Sequence, residues 1–60
     1  MNYFLIKGDI VFFDKVNCIC KKDNYVIVEF CNGFAAKYEC KSSESAVKTI
    51  EGVVSQMAFI

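Results

Sequence analysis

Residues 25 to 40 read Tyr25-Val-Ile-Val-Glu-Phe-Cys-Asn-Gly-Phe-Ala-Ala-Lys-Tyr-Glu-Cys40. Two runs rich in β-branched and aromatic residues flank Asn32-Gly33, a strong hairpin signal because a type I′ turn needs positive φ at both central positions. The stretch predicts antiparallel strands over 25–31 and 34–40 joined by a two-residue turn. That register pairs Cys31 with Phe34, Glu29 with Ala36, Ile27 with Tyr38 and Tyr25 with Cys40. Side chains alternate between faces. One face therefore carries Tyr25, Ile27, Cys31, Phe34, Ala36, Tyr38 and Cys40, and the other carries Val26, Val28, Phe30 and Ala35. Both are apolar at their centres, so the fold turns on which one is covered.

Upstream, Lys22-Asp23-Asn24 reads as a turn and 16–21 as a strand. A turn centred on Lys22-Asp23 sets Cys20 opposite Tyr25 and Cys18 opposite Ile27, which puts all four cysteines and Val16 on the first face. Lys7-Gly8-Asp9 separates two further short strands, 3–6 and 10–13. Downstream the period changes. Ala46, Val47, Ile50, Val53, Val54 and Met57 recur at three- and four-residue steps and predict a helix over 43–57. Ser42 or Ser43 can cap its start, and Glu44 suits the positive end of its dipole. Gly52 in its interior costs about 1 kcal/mol relative to Ala, which suggests close packing or early fraying there. The expected fold is a single α+β domain over 1–60, an antiparallel β-meander of four to five strands packed on one C-terminal helix.

The four cysteines are expected to be core. Cys18 and Cys20 form C-x-C rather than the C-x2-C knuckle of zinc ribbons. In the predicted register Cys20 and Cys40 lie two strand spacings apart, too far for a disulfide. Interleaved with large apolar residues, they read as small buried hydrophobes, so neither metal nor cofactor is expected.

Seven lysines balance seven acidic residues, and the chain has no histidine and no proline. Without arginine or a basic excess, the electrostatic footprint of a nucleic-acid binder is missing. No imidazole is present to act as a base, and no glycine-rich loop precedes the helix. The chain therefore reads as a non-enzyme. Glu29, the one charge on the cysteine-bearing face, is expected at a rim where it reaches water or a lysine. Tyr3, Tyr25 and Tyr38 read as strand packing. The longest apolar run, Ile10 to Phe13, falls far short of the ~20 residues a membrane-spanning helix needs. The start lacks the pattern of a signal peptide, so the cytoplasm is the expected compartment.

With a single helix covering the cysteine-bearing face, the other face must be covered either by the N-terminal hairpin or by another chain, and the second is the expectation carried forward. Ile19, Val26, Val28 and Phe30, with Phe59 and Ile60 of the tail, then form an interaction surface. It would serve a homodimer and a larger host protein.

The segments Ile6-Lys-Gly-Asp-Ile10, Phe13-Asp-Lys-Val16 and Phe30-Cys-Asn-Gly33, together with the serine-rich helix start, resemble small intracellular proteins of phages and prophages. Those proteins share a β-meander closed by one helix. The resemblance implies action by binding, including inhibition of bacterial defence complexes, and it carries over no catalytic residue. The alternative is a small-molecule binder, such as a nucleotide sponge, with tyrosines and lysines lining a pocket between protomers.

Overall fold

The computed structural model describes residues 2–58. Five strands precede one helix: β1 (Tyr3–Ile6), β2 (Asp9–Phe12), β3 (Val16–Lys22), β4 (Tyr25–Phe30), β5 (Ala35–Glu39) and α1 (Ser43–Met57), with a 3-10 turn at Phe13–Lys15 between β2 and β3. The class is α+β, as expected, and the first strand and the helix keep their predicted bounds. The strands divide into two antiparallel sheets, a β1–β2 hairpin and a β3–β4–β5 meander.

Local chemistry explains the turns. Lys7 (φ 46°) and Gly8 (φ 89°) give the first hairpin the positive φ pair of a two-residue turn. At the β4–β5 connection only Gly33 has positive φ (92°), and Asn32 does not. Phe30 N–H donates to the Phe34 carbonyl (2.8 Å), and Gly33 N–H donates to the Phe30 carbonyl (3.0 Å). The loop thus holds three residues, a turn followed by a left-handed glycine, and Asn32 Oδ1 accepts from Phe34 N–H (3.1 Å). It is not the two-residue type I′ turn expected from Asn32-Gly33.

One extra loop residue shifts the register by one and inverts the faces of β5. Glu29 now pairs with Ala35, Val28 with Ala36, Ile27 with Lys37, and Val26 with Tyr38. On β3, Cys20 lies opposite Ile27 and Cys18 opposite Glu29, so these thiols do share the Tyr25–Ile27 face. A register irregularity between Val16 and Cys18 turns Val16 the other way, to pack on the core beside Ile19.

The helix covers the face expected to be left to the hairpin or to another chain. Val26 and Val28 are 0 % exposed, and they join Phe4, Ile6, Val11, Cys40, Ala46 and Val53 in one core, with Ile19 and Phe30 partly buried against it. Helix and hairpin together cover this side: Ala46 and Val53 come from α1, Phe4, Ile6 and Val11 from the hairpin. Of the four cysteines only Cys40 is buried, whereas Cys18, Cys20 and Cys31 are exposed free thiols. The expectation that all four are core is corrected accordingly, and the expected Val26–Val28 interaction surface is corrected with it. Burying one such valine contributes about 1.5 kcal/mol or more.

The helix begins with Ser42 accepting from Ser45 N–H (3.1 Å), and Lys21 Nζ donates to Ser43 Oγ (2.7 Å). Ala46, Ile50 and Val53 face the core, while Val47, Val54 and Met57 from the expected stripe are substantially exposed. A Cβ built on Gly52 would meet nothing within 4 Å, and the helix runs on to Met57. Neither close packing nor fraying explains that glycine.

Candidate interaction surface

The β1–β2 register, Tyr3 with Phe12 and Leu5 with Ile10, collects four large apolar side chains on the hairpin face opposite Phe4 and Val11. Leu5 is 51 %, Ile10 61 % and Phe12 49 % exposed. The Tyr3 and Phe12 rings meet edge to face with centroids 6.3 Å apart, an arrangement aromatic pairs favour. Among the described residues no charged side chain lies between these four in the register. A contiguous apolar patch of this kind is the usual mark of a binding surface.

The patch continues into a groove of about 700 Å³ lined by Ile10, Val11, Phe12, Lys15, Phe30, Cys31 and Asn32. Cys31 N–H donates to the Lys15 carbonyl (2.9 Å), fixing the 3-10 turn against the end of β4. Of the residues expected to form the interaction surface, Phe30 lines this groove, and Ile19 borders a separate shallow depression of about 290 Å³ with Val54 and Met57. Val26 and Val28 serve the core, Ile19 packs on it only in part, and Phe59 and Ile60 lie outside the described residues. Period-two reading of 3–6 and 9–12 would have exposed the hairpin face, had the pattern been tested against an inward Phe4 and Ile6.

The second open surface is the outer face of the meander, with Cys18, Cys20, Tyr25, Ile27, Glu29, Ala35, Lys37 and Glu39. Glu29 is exposed and accepts a hydrogen bond from Cys18 Sγ at 3.2 Å. That bond, with some desolvation and the charge of Glu29, holds the Cys18 thiol above the ordinary thiol range. Among the described residues no group of three or more His, Cys, Asp or Glu side chains is placed to hold a metal ion. Tyr25 sits in a shallow depression of about 320 Å³ with Lys22, Asp23, Ile27 and Lys37. Tyr38, by contrast, points to the core side, and its hydroxyl donates to Asp9 Oδ2 (3.0 Å). Burial and that hydrogen bond raise its pKa.

No helix among the described residues is long and apolar enough to cross a membrane. No protein-family model, curated protein or solved structure matches the chain.

Proposed function

We propose that this chain is a non-enzymatic protein-binding module that docks a larger partner on the outward face of its N-terminal hairpin. The observation that carries the reading is the uninterrupted Tyr3–Leu5–Ile10–Phe12 face. Covering three half-exposed side chains yields about 1 kcal/mol each, so a symmetric dimer built on this patch alone gains roughly 6 kcal/mol. Association costs an estimated 4 to 15 kcal/mol. A second copy on the patch is thus marginal, and a partner large enough to reach the groove as well is favoured over the homodimer.

A photo-crosslinking residue at position 10 or 12, introduced in the source cells, is expected to trap one discrete adduct. Position 22, on the opposite side, is expected to trap none. The trapped protein, purified, should then bind wild type and not Ile10→Asp. Adducts independent of position would overturn the reading. The resemblance to small phage proteins extends it to occlusion of a bacterial defence complex. Wild type and not Ile10→Asp should then restore plaques on a defended host, and equal plaque counts with both would remove that extension.

The Tyr25 depression supports a second reading. An aromatic ring sharing a depression with Lys22 and Lys37 suits a nucleotide, with stacking on the ring and phosphate near the ammonium groups. A rise in melting temperature with nucleotides or cyclic dinucleotides, abolished by Tyr25→Ala, would favour it over the docking module.

A further inference from the structure

The elements follow one another around the core as β5, β4, β3, α1, β1 and β2, and the circuit is open between β2 and β5. On the β1 side, Gln56 closes it by bonding to the Leu5 backbone. Among the described residues no ladder joins β2 to β5, and the side-chain bond from Tyr38 to Asp9 spans them. Both strands therefore present an unpaired edge. The hairpin bond from Phe13 N–H to the Asn2 carbonyl (2.9 Å) sets the alternation along β2. In that alternation Val11 and Asp9 bond to β1, while the N–H and C=O of Ile10 and the N–H of Phe12 point away from it. By the same rule, the bond from Phe30 N–H to Phe34 turns the backbone groups of Ala35, Lys37 and Glu39 outward from β5. The apolar groove runs along the β2 edge.

We propose that the β2 edge accepts one extended segment of a partner protein as an added strand, pairing with the Ile10 and Phe12 backbone and lying in the groove beside Phe30 and Cys31 at the end of β4. This inference rests on the docking reading above and names the kind of segment docked. Open backbone donors and acceptors select an extended chain over a helix, whose own groups are already paired. Ile10, Phe12 and Phe30 select apolar side chains at alternate positions of that segment. Lys15, the one charged side chain lining the groove among the described residues, selects an acidic residue near one end.

The test uses the full chain against a displayed library of random decapeptides. Enriched peptides should show apolar residues at every second position and an Asp or Glu near one end. Bound to isotope-labelled protein, they should slow hydrogen exchange at the Ile10 and Phe12 amides. Ile10→Pro removes an N–H that no ladder uses, which an edge strand tolerates. Its melting should stay cooperative while peptide affinity falls about tenfold. Lys15→Glu should shift selection from acidic to basic peptides. Enrichment at helical spacing, no enrichment, unprotected Ile10 and Phe12 amides, or wild-type affinity in Ile10→Pro would each overturn the added strand. So would self-association of the free chain with those amides already protected, since the occupant would then be a second copy. If the crosslinked partner binds Ile10→Pro normally but not Ile10→Asp, the docking face stands and the added strand falls.

Discussion

The side-chain amide of Gln56 is paired with the backbone of Leu5 much as a neighbouring strand would be. Leu5 N–H donates to Oε1 at 2.8 Å, and Nε2 donates to the Leu5 carbonyl at 2.9 Å. One helical residue thereby satisfies both outward groups of Leu5 and links the last turn of α1 to the first strand. Gln56→Leu should cost about 1 to 3 kcal/mol, because two hydrogen bonds are lost. Chemical denaturation measures it, and a loss below a few tenths would mean that water replaces the amide without penalty.

Gly52 has open space where a side chain would begin. Gly52→Ala should therefore stabilise the protein by about 1 kcal/mol, the difference in helix propensity. For a domain of this size that corresponds to a rise in melting temperature of roughly 4–8 °C. A fall would show that the site is more crowded than its geometry indicates.

Face assignment can be tested by two substitutions on adjacent strands. Val28→Ala, in the closed core, should cost about 2 kcal/mol through lost burial and a residual cavity. Cys18→Ser, on the open face, should change stability by about 0.5 kcal/mol or less. The reverse order would restore the cysteine-bearing face as the core.

Cys18 should be the slow thiol. Its raised pKa lowers the thiolate fraction near pH 8, and only the thiolate is nucleophilic. Alkylation followed by peptide mass spectrometry should show Cys20 and Cys31 modified before Cys18, with the gap closing as pH rises. Glu29→Gln removes the carboxylate that favours the protonated thiol, so Cys18 should speed up. Equal rates for all three thiols in wild type would show that the Cys18–Glu29 bond does not persist in solution.

The element order and the fold class were legible because strand and helix periods differ so clearly on either side of Lys41. The choice of sheet face was not. Tyr25 and Ile27 are as apolar as Val26 and Val28, so alternation along β4 does not select between them. Asn32-Gly33 suits both a two-residue and a three-residue loop, and one residue of difference inverts β5. The charges contained the answer. In the two-residue register Glu29 lies on one face while Lys37 and Glu39 lie on the other. In the three-residue register all three share a face and leave Val26, Val28, Phe30, Ala36, Tyr38 and Cys40 together without a charge. The hairpin patch was missed for a related reason: the Val26–Val28 face could be closed by the hairpin or by another chain, and preferring the other chain left the hairpin without an inner and an outer side.

Each strand ladder joins consecutive strands, whereas the Leu5–Gln56 pair spans 51 residues. Ladders that close short loops form early, and a contact across nearly the whole chain forms late. On refolding the meander can therefore form before residues 43–57 dock, and until they do Val26 and Val28 lack the helix that covers them, so slow docking of the helix lengthens the time in which the chain is open to aggregation.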